Sequence, residues 1–165
     1  PIESGIEIIS VIISRKKEHQ SMKDIILLQE KYEKIYGNEA TASGDIENIE
    51  EALDVILPFD FKEILSFYSG GLLGGISHFG TSTSDSENIV FETIKAREAL
   101  GLPHHYVVLA EPPESLILLD TLDKDGVLWV DANDLYNKTE KWDTYKDFFQ
   151  FLIEEEMADY MPASI

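Results

Sequence analysis

Between Leu57 and Gly75 the chain reads LPFDFKEILSFYSGGLLGG, and Phe61, Ile64, Leu65 and Tyr68 recur there at helical spacing while Lys62, Glu63 and Ser66 fall on the other side. The pattern predicts a short amphipathic helix with one buried stripe. Pro58 suits its first turn, because the ring holds φ at a helical value and the missing N–H has no intrahelical partner to lose. Asp60 and Glu63 lie where carboxylates complement the positive end of the helix dipole. Gly70 and Gly71 end the helix, one of them suited to a left-handed C-terminal conformation. Leu72 to Phe79 then reads as a first strand, with a bulge or close backbone approach at Gly74 and Gly75.

Upstream, Ile2, Ile6, Ile9 and Ile13 share one helical face and predict a helix docked on the domain. Arg15 to Gln20 reads as a charged break, and a second helical pattern runs from Met22 to Tyr36 through Ile25, Leu28, Tyr32 and Ile35. Ala40 to Gly44 is a small-residue linker. Ser43 or Asp45 can cap a helix over Ile46–Val55, whose Ile49, Leu53 and Ile56 form a stripe. The expected organisation is an N-terminal helical extension over residues 1–40, packed on one globular unit over residues 41–165.

After the glycines the period changes. Gly80 to Asn88 is a polar loop with the character of a flexible rim, and Ile89 to Leu100 predicts a helix stopped by Gly101, although its IVF opening is strand-like. Tyr106–Ala110 is a short β-branched strand, and Pro112-Pro113 turns the chain. Leu116–Asp120 and Val127–Asp131 flank Asp123-Lys124-Asp125-Gly126 as a hairpin, the Asp-Gly pair tolerating positive φ. A closing helix over Thr144–Met157 turns Phe148, Phe149, Leu152 and Ile153 inward and Glu154 to Glu156 toward water. Helices first, a meander next and a helix last predict an α+β fold, with a central, mainly antiparallel sheet of about four to six strands and the C-terminal helix packed on it.

Composition narrows the chemistry. At 165 residues the chain suits one domain. It has no cysteine, which excludes a disulfide framework, a thiolate zinc site and a Cys nucleophile, and fits a cytoplasmic location. The apolar stretch over residues 1–14 carries Glu3 and Glu7, lacks a basic leader and is too short to span a bilayer, so neither a signal peptide nor a membrane anchor is expected.

The charge is unevenly placed. Residues 1–37 carry six acidic and six basic side chains, whereas residues 38–165 carry 26 and seven, so the whole formal charge of −19 resides on the latter. Such a surface serves solubility with no partner implied; it also repels nucleic acid and anionic lipid, and accelerates encounter with a cationic partner by roughly 10- to 1000-fold at low salt.

Few residues suggest reaction chemistry. His104 and His105 precede Glu111 and Glu114, yet neighbours on an extended segment face opposite ways and do not converge on one ion. The Asp123–Gly126 loop departs from the calcium-loop pattern, which needs glycine at position six and glutamate at twelve. The serines and threonines of residues 81–86 lack both the nucleophile-elbow and the phosphate-loop glycines. His19 and His78 have no constellation around them. No metal or cofactor is implied. Trp129 reads as core or half-core, and Trp142, within NKTEKWDTY, as an interface anchor, since Trp is enriched at binding hot spots.

The helix opened by Leu57-Pro58, closed by Gly70-Gly71 and followed by a glycine-rich strand resembles the signature of the SUKH superfamily, from about Asp45 to about Met157. That superfamily contains immunity proteins of bacterial polymorphic toxin systems and a eukaryotic branch linked to cell-wall assembly. The resemblance implies a non-enzymatic binding module, first an immunity protein that occludes a cognate toxin of basic, nuclease type by stoichiometric association, as a monomer or weak homodimer. It supports Leu57, Pro58, Gly70 and Gly71 as fold-determining positions and supplies no catalytic residue. On physical grounds Asp85 and Glu87, Asp131 and Asp134, and Trp142 are candidates for an acidic-aromatic partner patch. The alternatives are a regulatory scaffold using its N-terminal helices as a docking or dimerising arm, and a hydrolase using His104 or His105.

Overall fold

The computed structural model describes residues 2–160. The elements run α1 (Ile2–Tyr36), α2 (Asp45–Leu53), α3 (Phe59–Ile64), β1 (Gly71–Leu73), β2 (Ile76–His78), α4 (Ile89–Leu100), β3 (Tyr106–Ala110), β4 (Ser115–Asp120), β5 (Val127–Asp131), β6 (Asp134–Trp142) and α5 (Tyr145–Tyr160). The strands form one six-stranded sheet in sequence order, every neighbouring pair antiparallel, with α4 inserted between β2 and β3. The fold is therefore the expected α+β arrangement. No helix among the described residues is long and apolar enough to cross a membrane.

The central strands are buried along their length. Val107 to Ala110 and Leu116 to Asp120 have almost no exposed surface, because helices or loops cover both faces of the sheet there. α4 packs against β3 and α2, while α5 meets α1, α3, β1 and β6. Phe61, Ile64, Leu65 and Tyr68 are all buried, but α3 ends at Ile64 with Leu65 as its C-cap, so Leu65 and Tyr68 reach the core from the turn beyond the helix and Gly70-Gly71 does not close it. The α5 residues Phe148, Phe149, Leu152 and Ile153 complete the same core.

Several local expectations are corrected. The N-terminal region is a single helix of 35 residues rather than two. Arg15 to Gln20 does not break it, because Arg, Lys, Glu and Gln are good helix formers and neither glycine nor proline interrupts them. Its halves differ: Ile25, Leu28 and Tyr32 are buried in the core, whereas Ile6, Ile9 and Ile13, expected to dock, are 62%, 58% and 49% exposed. Gly74 and Gly75 make the turn of a β1–β2 hairpin, with φ of 62° and 77°, instead of a bulge in one strand, while the expected close backbone approach is found at Gly74, where a Cβ would stand 3.0 Å from the Leu152 backbone. Gly44, not Ser43 or Asp45, occupies the N-cap of α2, without a side-chain capping bond.

The third acidic residue of Glu154–Glu156 is a further correction. Glu156 is buried, and its carboxylate accepts hydrogen bonds from the backbone N–H of Gly74 at 2.9 Å and from the Tyr36 hydroxyl. One side chain thus ties the end of α1, the hairpin turn and α5 together. The unexpected strand is β6, which pairs with β5 from Asp131↔Asp134 to Val127↔Trp142. Its middle residues are polar and exposed, as suits an edge strand, so no apolar alternation announced it.

These contacts lead to three expectations. A Cβ at Gly70, where φ is +99°, would stand 2.6 Å from the Phe79 carbonyl oxygen, whereas one at Gly71, with φ +100°, would meet nothing within 4 Å. Both Gly→Ala changes incur backbone strain of about 1–3 kcal/mol, and urea denaturation should show Gly70→Ala to be the more destabilising because only there must the backbone move. Glu156→Ala should lose about 1–3 kcal/mol through the unsatisfied donors it leaves, and Tyr36→Phe added to it should cost less than Tyr36→Phe alone in a double-mutant cycle. His78 lies between the rings of Tyr68 and Phe148, with Nε2 3.4 Å from the Leu73 carbonyl oxygen, and burial pushes its imidazole from 6.5 down to about 4. The unfolded chain therefore takes up a proton that the folded chain refuses, and stability on the order of 3 kcal/mol is lost as pH falls from about 6.5 to about 4. The stability difference between wild type and His78→Gln should shrink over that window; a constant difference would remove His78 from the acid response.

Candidate functional site

Asp85 and Glu87 stand exposed on the β2–α4 loop, which is more constrained than a flexible rim. Gly80 N–H donates to the Glu87 carbonyl at 3.1 Å, and Ile89 N–H donates to the Gly80 carbonyl at 2.9 Å. The Asn88 side chain caps α4, accepting from Phe91 N–H at 2.9 Å and donating to the Asp85 carbonyl at 3.1 Å. The backbone of the acidic pair is thus held, and the Asp85 carboxylate packs over Gly80, where a Cβ would stand 2.1 Å from its Oδ2.

Asp131 and Asp134 flank the β5–β6 turn. Asp131 Oδ1 accepts from Asn133 N–H at 2.7 Å and Asp134 Oδ1 from Tyr136 N–H at 3.1 Å, so each carboxylate stiffens the turn that presents it. Trp142 lies at the other end of β6, roughly 25 Å along the strand from Asp134. Its half-buried indole packs on Phe148 and Phe151, with ring centroids 4.8 and 5.2 Å away, and seals the sheet edge against α5. β3 and β4 separate the Asp85–Glu87 loop from the Asp131–Asp134 turn. The five candidates therefore do not gather into one patch. Trp129 is half-buried on β5, within the range expected of it.

One nominated residue borders a concave surface. Between the C-terminal end of α4 and the β5–β6 turn lies a groove of about 430 Å³, floored by Leu102, Leu118 and Leu128 and rimmed by Leu100, Asp134 and Tyr136. Tyr136 is 89% exposed, and Asn133 and Lys138 share the lining with it and Asp134, so the groove carries polar groups of both charges beside its leucines. On the floor's flank the Tyr106 hydroxyl donates to Asp125 at 3.0 Å, and burial together with that carboxylate pushes the phenol up to about 12. It stays protonated and serves packing. Sequence reasoning passed over Tyr136 because β6 carried no strand pattern, and a tyrosine in a polar segment has no distinguishing spacing.

The two histidines occupy a turn instead of an extended segment, and both line a shallow groove with Glu50, Asp54, Ile56 and Leu122. That overturns the argument that they face opposite ways. They still engage different carboxylates: His104 Nε2 is 3.6 Å from Asp54 and 2.9 Å from the Asp54 carbonyl oxygen, while His105 Nε2 is 4.0 Å from Asp120. Asp120 is itself committed, accepting from Leu122, Lys124 and Asp125 N–H at 2.9, 3.2 and 2.8 Å and shaping the β4–β5 turn. The nearby Thr121 hydroxyl donates to the His105 carbonyl at 2.6 Å. Glu111 and Glu114 are at the opposite end of β3. Among the described residues no group of three or more His, Asp and Glu side chains is placed to hold a metal ion.

The structure places Pro58 at the N-cap of α3, with φ −58°, and Leu57 in the core, its N–H donating to Glu50 at 2.8 Å. Gly70 and Gly71 both have positive φ, Gly71 opening β1, and neither caps α3, whose C-cap is Leu65. Compared with known proteins, residues 22–155 match a family model described as SMI1-KNR4 cell-wall, SUKH_5. The match begins well before Asp45, so the packed half of α1 belongs to the family unit. Among curated proteins, none matches the chain. By this match, which spans most of its length, the chain belongs to the SMI1-KNR4 family of the SUKH superfamily.

Proposed function

We propose that the protein is a non-enzymatic immunity protein that binds a cognate basic toxin, of nuclease type, and occludes it stoichiometrically. The observation that carries this reading is the charge distribution on a family unit of protein-binding character: 26 acidic and seven basic side chains over residues 38–165. A nuclease must hold a phosphate backbone and therefore presents a basic face, which this field attracts from a distance. Docking then needs a desolvated anchor. The groove beside the β5–β6 turn supplies an apolar floor, the exposed Tyr136 ring and the Asp134 carboxylate, while Asp131, Asp85 and Glu87 contribute to steering.

The description of the matching family as cell-wall favours a second reading, a regulatory scaffold for a cell-envelope or signalling partner. The two differ in the partner's chemistry. Capture from lysate of the source organism at low and high salt should yield one stoichiometric basic partner that is toxic when expressed alone. Neutralising Asp85, Glu87, Asp131 and Asp134 to Asn or Gln should slow association at low salt and converge with wild type at high salt. Tyr136→Ala should weaken the complex about tenfold or more, mainly through faster dissociation. A non-toxic envelope or signalling partner supports the scaffold, and binding that is indifferent to salt and to all five changes removes both the steering and the groove.

A further inference from the structure

Tyr68 carries a hydroxyl that the side chains and backbone around it leave unsatisfied. The residue is buried among Tyr32, His78 and Phe149, whose ring centroids stand 5.6, 6.3 and 5.2 Å away, and its Oη has no hydrogen-bond partner among the described residues. A buried hydroxyl without a partner costs stability, and such groups in folded proteins are bonded either to protein or to an ordered water. Tyr68 also lines a small cavity of about 10 Å³, whose other lining residues are buried except for Gly70. One water molecule needs ~10–15 Å³ of such space.

The lining is polar enough to hold water, since His78, Thr81 and Tyr145 border the cavity beside Tyr68, whereas a purely apolar cavity stays dry. Two of these side chains retain acceptors. A carbonyl oxygen only accepts, so the Thr41 hydroxyl spends its single proton on the Tyr68 carbonyl, 2.9 Å away. In the 3.2 Å contact between Thr41 and Thr81 the proton then comes from Thr81, whose Oγ1 keeps a lone pair. By the same rule His78 Nε2, 3.4 Å from the Leu73 carbonyl oxygen, carries the ring proton, and burial keeps the imidazole neutral, so Nδ1 is an acceptor. We propose that this cavity is a specific site for one structural water, which accepts from the Tyr68 hydroxyl and donates to Thr81 Oγ1 and His78 Nδ1. Three bonds are the usual complement of a buried water, and here they use both of its protons. The site joins the segment after α3, strand β2 and the start of the β2–α4 loop, where Thr81 N–H also donates to the Ser69 carbonyl at 3.3 Å. It stands apart from the toxin reading, because none of its residues lines the β5–β6 groove.

Crystal structures of the full chain, wild type and Tyr68→Phe, at a resolution that shows ordered water, test the proposal directly. The wild type should hold one water within about 2.5–3.2 Å of Tyr68 Oη, Thr81 Oγ1 and His78 Nδ1, and the variant should lose it. A dry cavity, a Tyr68 hydroxyl bonded to a protein group, or a water that misses Thr81 or His78 overturns the assignment. Thermal denaturation gives an independent reading. Tyr68→Phe should lower the midpoint by roughly 2–6 °C, because it removes a bonded hydroxyl. A midpoint that stays or rises means that the hydroxyl had no partner to lose, and this also overturns the site. Thr81→Val removes the acceptor and breaks the Thr41 contact as well, so the bridge is read from the pair: the fall in Tyr68→Phe/Thr81→Val should be smaller than the sum of the two single falls. Strict additivity removes the bridge.

Discussion

The ring of Phe149 is the contact on which the arrangement of the helices depends. It is fully buried, and the rings of Tyr68, Phe67, Tyr32 and Tyr145 surround it with centroids 5.2, 5.8, 6.0 and 6.2 Å away. Those neighbours come from α1, from the segment after α3 and from α5, so one aromatic side chain fixes three parts of the chain against one another. Each such ring removes some 150–250 Å² from water, and tilted or edge-on geometry adds electrostatic attraction between ring edge and ring face. The sheet supplies the floor for this layer, and the helices have little freedom to slide over it.

Two buried carboxylates do the corresponding work for the loops. Glu156 holds the β1–β2 turn and the end of α1 to α5, and Asp120 gathers three backbone N–H groups of the β4–β5 turn. A carboxylate removed from water is tolerated only when its lone pairs are used, and both are satisfied by groups that would otherwise be unpaired. Asp60 shows the balance at a third site: it accepts from Phe61 and Lys146 N–H at 2.8 Å each, yet burial outweighs those bonds and its carboxyl is raised from the ordinary value. The charges left outside are therefore free to shape the long-range field. With the packed half of α1 locked by Tyr32 and Tyr36, the direction in which its exposed half leaves the domain is fixed as well.

Much of the fold was legible in the chain because its signals were local. The buried positions Phe61 and Ile64 of α3, the stop at Gly101, the positive φ of Gly126 in the β4–β5 turn and the inward face of α5 each express a period or a backbone requirement contained in a few residues, and each is found in the structure. The Leu57-Pro58 and Gly70-Gly71 pairs carried the family likeness for the same reason. Local rules also misled where two outcomes share one pattern. Gly74 and Gly75 satisfy a bulge or a hairpin turn, and the isoleucines of α1 satisfy docking to the domain or exposure to water.

The sequence by itself determined the α+β class, the family and the concentration of negative charge beyond residue 37, because composition, period and glycine or proline geometry are properties of short stretches. Tertiary structure alone decided the rest. Strand β6 exists because β5 offers it hydrogen bonds, Glu156 is buried because two distant donors meet above it, and Trp142 seals the core because α5 returns to that edge. It also decided that Asp85 and Glu87 stand two strands away from Asp131 and Asp134, and that Tyr136 lines a groove beside the β5–β6 turn. Proximity between residues far apart in the chain is set by packing, which no spacing along the sequence encodes.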